Sequence, residues 1–464
     1  MESDQRWRGK IQRTWEAKVK ERFLPCSVWF AIALFLCLGN AAFAQDWVHT
    51  GTGLGLEKPR IAVTDFAPRA DNAKSHSQLF TQVVRDDLQF SGIVDLVSPS
   101  FYPTQVPSVP GELRNADWTT PQLNSNLIAF GNLTEAATEV VISGWLFDVR
   151  SPSTQAVIGK VYRGTPTDAQ VRKFAHEFAD EIISRLSGGL PGVASTQIAF
   201  VSSRTGTKEI WIMDYDGANQ RPLTSLRTIS LTPRWSPDAS RIAFTCFASG
   251  NGVVSPQICM YSMDAGKVLS FPRFRGSNSA PAWSPDGSQI MFSSSMLGNP
   301  ELFVVDANGG RPKRLTFATG ASTSPTWNPK TGQTVVFVSD RGGIPKLYMM
   351  NADGTSSAEI DVPDKGYLID PAWAPNGQLL AFSWRRPDGN FDIYLMEAAT
   401  HNIVQITRDS GKNERPCWAP DGRHMVFEST RNGERQIWTM LADGSQAHEL
   451  TMTGHNESPN WSPK

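Results

Sequence analysis

The stretch Trp283-Ser284-Pro285-Asp286-Gly287 decides the fold of this chain, because near-copies of it recur through the second half of the sequence. Each copy starts at a tryptophan, and the six are Trp235, Trp283, Trp327, Trp373, Trp418 and Trp461. Successive tryptophans are 43–48 residues apart. A repeat of that length is the size of one β-propeller blade. The sequence therefore predicts that more than half of the protein is a ring of blades that presents a surface.

A second phrase, a short apolar run ending in phenylalanine, accompanies every repeat, at Phe200, Phe244, Phe292, Phe337, Phe382 and Phe427. A third apolar run and a weaker fourth one follow it, separated by Asp-Gly or Asn-Gly turns. Four such runs per repeat predict four-stranded antiparallel blades. Because indoles bury a large area, we interpret the six tryptophans as structural residues that hold neighbouring blades together. The alternative is a platform on which a ligand stacks.

The two ends of the repeat region complement each other. The first repeat has its Ile198–Phe200 run but no tryptophan phrase before it, whereas the last tryptophan phrase, Trp461-Ser462-Pro463, has no strand after it. We therefore predict six blades over residues 195–464, with the C-terminal strand completing the first blade. Closure of this kind removes open sheet edges. Five repeats plus fragments is the alternative.

The first 44 residues differ from the rest in composition. A basic stretch precedes an apolar run from Val28 to Leu38, and Ala42-Phe43-Ala44 stands before Gln45. This order predicts a secretory signal peptide over residues 1–44, cleaved after Ala44, and hence a secreted protein without direct membrane insertion. An uncleaved anchor is the alternative, although the run is short for a membrane span. The glycine-containing residues 45–57 are expected to form a flexible N-terminal segment.

Residues 58–190 lack the repeat and predict a small α/β domain. Residues 60–66, 93–97, 126–130, 139–148 and 155–162 are expected strands, and residues 77–90 and 168–186 are expected amphipathic helices. Gly188 and Gly189 end the second helix, and Pro191 prevents its continuation. The chain is thus expected to consist of two domains joined by a short link.

The sequence offers no catalytic or metal-binding motif. It contains no Gly-x-Ser-x-Gly elbow, no Cys-x-x-Cys and no His-Glu-x-x-His, so we expect no enzyme, no metal and no cofactor. A formal net charge of −1 gives no reason to expect nucleic-acid binding. Cys246 and Cys259 lie on one predicted hairpin, where they form either a disulfide or two buried free thiols. Cys417, beside Trp418, is expected to be a small core residue.

The order of these features resembles the TolB family of periplasmic propeller proteins. The resemblance is most specific over residues 180–220, DEIISRLSGGLPGVASTQIAFVSSRTGTKEIWIMDYDGANQ, and extends through the WSPDG repeats to the final WSP. It implies a monomeric, non-enzymatic adaptor that binds Pal, a peptidoglycan-associated lipoprotein, and maintains outer-membrane integrity during cell division. It also implies an α/β domain similar to anticodon-binding domains, and contact with TolA through the mature N-terminal residues Gln45, Asp46, Trp47, Val48 and His49.

The same resemblance implies a Pal site in the loops before each Pro-x-Trp triplet of the propeller. The matching residues are Ser277, Ala280 and Thr323, and blade symmetry adds Thr232, Asp370, Arg415 and Ser458. Ordinary solvated loop residues are the alternative interpretation of all seven. Two other functions stay open from the sequence: an accessory propeller related to peptidases, and a propeller that binds peptidoglycan or another glycan.

Overall fold

A computed structural model describes residues 58–152, 155–250, 253–363, 366–408 and 411–463. The predictions of a signal peptide and of a flexible N-terminal segment therefore lie outside the described residues. All described residues belong to one unit of mutually contacting structure, in which an α/β domain precedes a six-bladed propeller. The prediction of this fold class is confirmed.

The α/β domain is built on one sheet with two long helices. Its strands are β1 (Arg60–Val63), β2 (Ala67–Pro68), β3 (Asp95–Leu96), β4 (Leu127–Glu135), β5 (Val140–Asp148) and β6 (Ile158–Gly164). The sheet order is β3-β1-β4-β5-β6, and β2 pairs with β4. Its helices are α1 (Lys74–Ser91), α2 (Asn115–Trp118) and α3 (Asp168–Leu186), with 3-10 turns at Asp71–Ala73, Pro99–Phe101 and Pro110–Glu112. The expected strand over residues 93–97 is only the two-residue β3.

Local sequence signals explain where the long helices begin and end. The hydroxyl of Thr167 accepts a hydrogen bond from the backbone N–H of Gln170 and so caps α3 at its N-terminus. Gly92 ends α1 in the left-handed conformation, at a φ of 62°. Both helices bury apolar faces in one cluster with the sheet, in which Phe66, Phe80 and Phe178 are fully buried. The two helices therefore cover one face of the sheet.

The propeller consists of six four-stranded antiparallel blades. Blade 1 contains β7 (Gln197–Ser202), β8 (Glu209–Asp214) and β9 (Arg221–Pro222) with β30 (Asn456–Trp461). Blade 2 contains β10 (Ser230–Trp235), β11 (Arg241–Gly250), β12 (Val253–Ser262) and β13 (Lys267–Leu269), and blade 3 contains β14 (Asn278–Trp283), β15 (Gln289–Ser294), β16 (Glu301–Asp306) and β17 (Lys313–Arg314).

The remaining three blades repeat the pattern. Blade 4 contains β18 (Ser322–Trp327), β19 (Thr334–Ser339), β20 (Lys346–Asn351) and β21 (Ala358–Glu359), and blade 5 contains β22 (Leu368–Trp373), β23 (Leu379–Arg385), β24 (Phe391–Glu397) and β25 (Ile403–Gln405). Blade 6 contains β26 (Asn413–Trp418), β27 (His424–Ser429), β28 (Gln436–Leu441) and β29 (His448–Glu449). Every innermost strand has six residues and ends at the tryptophan of its phrase.

The C-terminal strand closes the ring. β30 pairs antiparallel with β7, and Trp461 stands opposite Ile198. The hydroxyl of Ser462 accepts a hydrogen bond from the Gln197 N–H, at 2.9 Å. The prediction that the last strand completes the first blade is confirmed, and the innermost strand of every blade is thereby paired.

The tryptophans lie between blades. Trp235, Trp283, Trp327 and Trp373 each share a buried cluster with apolar residues of the preceding blade. The Trp283 and Trp418 indoles also donate hydrogen bonds to backbone carbonyls of the preceding blade, both at 3.1 Å. Each tryptophan of the six is at most 8% exposed. The large apolar area that they bury stabilises the contacts between blades.

Blade 2 carries a longer hairpin than the others. β11 and β12 have ten residues each, whereas the matching strands of blade 3 have six. A disulfide joins Cys246 of β11 to Cys259 of β12, with their Cα atoms 5.8 Å apart. The alternative of two free thiols is therefore wrong, and the disulfide ties the two strands of this hairpin together.

Replacing both cysteines with serine is expected to lower the free energy of unfolding by about 2–3 kcal/mol, because the cross-link no longer restricts the unfolded chain. Thermal unfolding of the oxidised wild type and of the double variant measures the effect. As a control, a reductant should lower the melting temperature of the wild type and leave that of the Cys246→Ser/Cys259→Ser variant unchanged. Equal melting temperatures for the two oxidised proteins would contradict the expectation.

The α/β domain packs on blades 1 and 6 through buried polar and aromatic side chains. Asp87 of α1 accepts hydrogen bonds from Tyr215 of blade 1, at 2.6 Å, and from Nδ1 of His176 of α3, at 2.8 Å. All three side chains are buried. Phe90 stacks on the ring of His424 in blade 6, with the centroids 4.4 Å apart. These contacts join the two helices of the domain to one face of the propeller.

Burial raises the pKa of Asp87. Burial alone would lower the pKa of His176, but the hydrogen bond and the charge of Asp87 outweigh it and raise that pKa. The pKa of Tyr215 is also raised, by burial and by the neighbouring Asp87 carboxylate. The three groups therefore behave as one coupled, buried network between the domains.

Candidate functional site: the central channel of the propeller

The six innermost strands enclose a central channel of about 470 Å³. Each strand lines it with the same stretch of its phrase, from three residues before the tryptophan to two residues after it. We call the residues three before each tryptophan the inner ring: Thr232, Ala280, Ser324, Asp370, Arg415 and Ser458. Because every blade contributes the same position, the ring follows directly from the repeat.

The inner ring has an uncommon backbone conformation. All six of its residues have φ between 50° and 54°, the left-handed region that residues other than glycine rarely adopt. At this point the pairing of each innermost strand with its neighbour also shifts register. A bulge of this kind redirects a side chain, and each such residue costs of the order of 1–3 kcal/mol. Backbone strain is thus concentrated around the channel.

Five of the seven residues proposed for the propeller site are members of the inner ring: Thr232, Ala280, Asp370, Arg415 and Ser458. They belong to the innermost strands themselves and not to the preceding loops, because the bulge lies inside each strand. In blade 4 the ring residue is Ser324, one position after the expected Thr323. Ser277 lies on the exposed loop before β14, outside the lining of the channel. Counting three residues back from each tryptophan would have identified Ser324.

The N-terminal residues Gln45, Asp46, Trp47, Val48 and His49 lie outside the described residues.

Charge is unevenly distributed around the inner ring. Arg415 forms ion pairs with Glu428, at 3.2 Å, and with Glu457, at 3.9 Å, and donates a hydrogen bond to the Ser458 hydroxyl. Burial opposes its charge, but the carboxylates of Glu428 and Asp370 raise the pKa of Arg415. Burial raises the pKa of Asp370, whose carboxylate accepts a hydrogen bond from Ser383. The side of the channel formed by blades 5, 6 and 1 is therefore a charged network, whereas Ala280 and Ser324 are neutral.

Arg234 is a channel residue that the sequence reasoning missed. It stands one residue before Trp235, where the other blades have Ala282, Thr326, Ala372, Cys417 and Asn460. Its guanidinium donates one hydrogen bond, to the carbonyl of Pro233 at 2.9 Å, and burial lowers its pKa. Within the described ranges it forms no ion pair. Comparing this position across the six copies would have identified the exception.

The inner ring is the part of the channel lining that lies nearest to a set of loops, which we define as the mouth face. They are the loops between the second and third strands of each blade, and those from an outer strand to the next innermost strand. Among the described residues, the propeller has six large apolar side chains with substantial exposure. Five lie in these loops, namely Ile229, Leu297, Phe317, Ile344 and Met452, and Val254 lies next to the β11–β12 loop, as the second residue of β12. Phe317 and Met452 are 76% and 78% exposed. The α/β domain packs on the other side of the propeller, which we call the opposite face.

Among the residues that the structure describes, no three His, Cys, Asp or Glu side chains come close enough to hold a metal ion. Nor is any helix there both long and apolar enough to cross a bilayer.

The fold and the channel define a six-bladed propeller protein with an N-terminal α/β domain. The family model described as the TolB beta propeller domain matches residues 185–368 and 360–464, and that of the TolB amino-terminal domain matches residues 52–155. The chain belongs to the TolB family of the Tol-Pal system.

Relatives and solved structures agree with this family. The "Tol-Pal system protein TolB" of Bordetella pertussis is 30% identical over 419 residues, which cover 89% of this chain and 90% of that protein. The "Protein TolB homolog" of Chlorobium chlorochromatii is 33% identical over 315 residues, covering 67% and 69%. The crystal structure of TolB from Acinetobacter baumannii superposes with a TM-score of 0.72 at 25% identity and covers 88% of this chain and 98% of that one.

Proposed function

We propose that this protein is a periplasmic, non-enzymatic adaptor of the Tol-Pal system that binds the lipoprotein Pal through the mouth face and maintains outer-membrane integrity during cell division. Membership of the TolB family supports a role in that system. The observation that supports this binding site is the clustering of the exposed apolar side chains described above on or beside the mouth face, on the side of the channel where the inner ring lies. Exposed apolar groups that cluster on one face are typical of a protein-binding surface.

A preformed concave mouth suits a partner that inserts a protruding segment, because little of the mouth has to be ordered on binding. The contacts would come from the inner ring, namely Thr232, Ala280, Ser324, Asp370, Arg415 and Ser458, with Ser277 and Thr323 beside it. Catalysis has no support in the sequence, since it lacks the serine elbow that propeller-bearing peptidases use.

The N-terminal part of the proposal rests on the sequence. Secretion would remove residues 1–44 after Ala44, and the segment 45–57, with Gln45, Asp46, Trp47, Val48 and His49, would contact TolA. The mature chain would then comprise this segment, the α/β domain over residues 58–190 and the propeller over residues 195–464.

Ala280→Arg is expected to weaken binding of the soluble Pal domain by about tenfold or more, since the long side chain fills the mouth that the partner enters. The variant should fold, because Arg415 occupies the same ring position in blade 6 at nearly the same φ, 54° against 52°. Isothermal titration of the mature protein with the soluble domain of Pal from the same cell measures the affinity.

Ala239→Arg is the matched control. Ala239 is also an alanine with positive φ, 57°, but it lies on the opposite face in the turn between β10 and β11. It should leave the affinity unchanged. If Ala280→Arg bound the Pal domain as tightly as the wild type, the mouth would not be the site, and if the wild type did not bind the domain at all, the proposed function would fail.

A further inference from the structure

The two faces of the propeller carry opposite charge. The described residues of the mouth-face loops, counted strictly between the strands, include 11 Arg or Lys and 4 Asp or Glu. The turns of the opposite face, between the first and second and between the third and fourth strands of each blade, include 3 Arg or Lys and 7 Asp or Glu. Because the whole chain has a formal net charge of only −1, this separation is a property of the fold and not of the overall composition.

Many of the mouth-face cations lack a carboxylate partner. Arg227, Arg275, Arg408 and Lys412 are exposed and, over the described ranges, form no ion pair. An exposed cation that no neighbouring carboxylate neutralises contributes its full charge to the field outside the face. The mouth face is therefore able to attract an acidic surface before contact is made.

Three further arginines are held in fixed positions on this face. Arg204, Arg341 and Arg431 lie over the rings of Trp211, Tyr348 and Trp438, with guanidinium-to-centroid distances of 4.1, 4.6 and 4.4 Å. Each also donates from Nε to a serine hydroxyl two residues earlier in the chain. A guanidinium already positioned in this way loses little conformational freedom when it binds a carboxylate.

The cations do not surround the mouth evenly. The mouth-face loops that follow β15 and β17 of blade 3, residues 295–300 and 315–321, contain no charged residue. These loops instead carry Leu297 and Phe317, 64% and 76% exposed, with Ile344 of blade 4 beyond them. Most of the mouth-face cations thus lie over blades 5, 6, 1 and 2, together with Ile229, Val254 and Met452. Over blades 3 and 4 the face is mainly apolar, and Arg341 is its one cation among the described residues.

Two features favour a protein over an anionic membrane as the occupant. Arg234 adds a positive charge inside the channel, where only a protruding group of a partner can reach it. The β11–β12 hairpin also extends four residues per strand beyond its counterpart in blade 3, or about 13 Å at the usual rise per residue. A flat bilayer that rests on this hairpin is held away from the inner ring.

We infer that the mouth face docks a protein surface that is acidic opposite blades 5, 6, 1 and 2 and apolar opposite blades 3 and 4, with a carboxylate directed into the channel towards Arg234. This inference rests on the proposed function, since the surface in question would belong to the Pal domain. It adds the chemistry of the partner: acidic groups guide the approach and set the orientation, and the apolar part supplies buried area.

The test is a pair of charge reversals in the mature chain. Arg275→Glu/Arg408→Glu reverses two exposed cations on the mouth face, and Arg311→Glu/Lys330→Glu makes the same change of net charge on the opposite face. Association with the soluble Pal domain is measured by surface plasmon resonance at about 25 and 250 mM NaCl, which screen exposed charges to different extents. We expect the first variant to associate about tenfold more slowly at low salt, with a smaller difference at high salt, and the control to match the wild type.

The outcomes separate the inference from the function on which it rests. If the wild type binds the Pal domain and Arg275→Glu/Arg408→Glu binds equally fast, or no more slowly than the control variant, the acidic partner surface is wrong while Pal binding stands. If the wild type does not bind the domain, the proposed function fails. Salt-sensitive binding of the wild type to vesicles of phosphatidylethanolamine and phosphatidylglycerol, lost in the mouth-face variant only, would overturn the inference in favour of a membrane.

Discussion

Asp87→Ala should lower the free energy of unfolding by about 3–5 kcal/mol, because it removes the acceptor shared by two buried donors. Asp87 accepts from Tyr215 at 2.6 Å and from His176 at 2.8 Å, and the residue is 2% exposed. The phenol of Tyr215 and the imidazole of His176 would remain buried between the α/β domain and blade 1 without this partner. Urea unfolding followed by fluorescence measures the loss.

Asp86→Ala is the control for this prediction, because Asp86 is exposed on the same helix and its side chain accepts a hydrogen bond from the exposed Gln82. Its effect on the free energy of unfolding should stay within about 0.5 kcal/mol. Equal stabilities of the two variants would contradict the assignment of Asp87 as the centre of the contact between the domains.

The buried pair of Asp87 and His176 also makes the free energy of unfolding depend on pH. Since the pKa of His176 is raised in the folded protein, its stabilising contribution is complete below the usual value of about 6.5 and is lost as the pH rises through the raised value. The raised pKa of Asp87 acts in the same direction, because its ionisation is disfavoured in the folded state. We expect the wild type to lose stability as the pH rises above about 6.5, and Asp87→Ala to show a smaller decline.

Trp327→Ala is expected to cost about 3–5 kcal/mol of folding free energy, because the indole fills the contact between blades 3 and 4. Trp327 is 8% exposed and shares a buried cluster with Met291, Leu302 and Phe337. Its removal leaves a cavity between the two sheets. Thermal and urea unfolding measure the loss.

Phe317→Ala provides the control, because this large aromatic side chain is 76% exposed on the neighbouring mouth-face loop. It should leave the melting temperature unchanged while it weakens binding to the Pal domain. A Trp327→Ala variant that melts at the wild-type temperature would show that the repeated tryptophans do not hold the blades together.

The propeller could be predicted because each of its signals is local and repeats six times. A turn, a short apolar run and a tryptophan return at each period, so an error in one copy is corrected by the others. The α3 helix was predicted from Asp168 to Leu186, and these are its observed bounds, because a polar cap, one apolar face and two terminal glycines mark it. The strand predicted over residues 93–97 is longer than the observed β3. Ile93 and Val94 are buried against the helices, and only Asp95 and Leu96 pair with β1.

The residues of the candidate site were predicted less completely from the sequence than the fold was. The expected Thr323 differs from the ring residue Ser324 by one position, because a bulge inside the strand decides which side chain faces the channel. Arg234 differs in sequence from the uncharged residues at the same position of the other five copies, but only the closed ring places it in the channel. The disulfide between Cys246 and Cys259 stayed open because spacing on a hairpin does not settle the pairing register.

The spacing and composition of the sequence repeat alone predicted the number of blades, the four strands in each blade and the closure by the C-terminal strand. These features depend on hydrogen bonding and burial between neighbouring segments of the repeat. The tertiary structure alone decided the rest. It placed six residues with left-handed backbones in one ring, separated basic loops from acidic turns onto two faces, and brought Asp87 and His176 to Tyr215. Those properties arise between segments far apart in the chain, where only the closed ring and the docked helices bring the groups within reach.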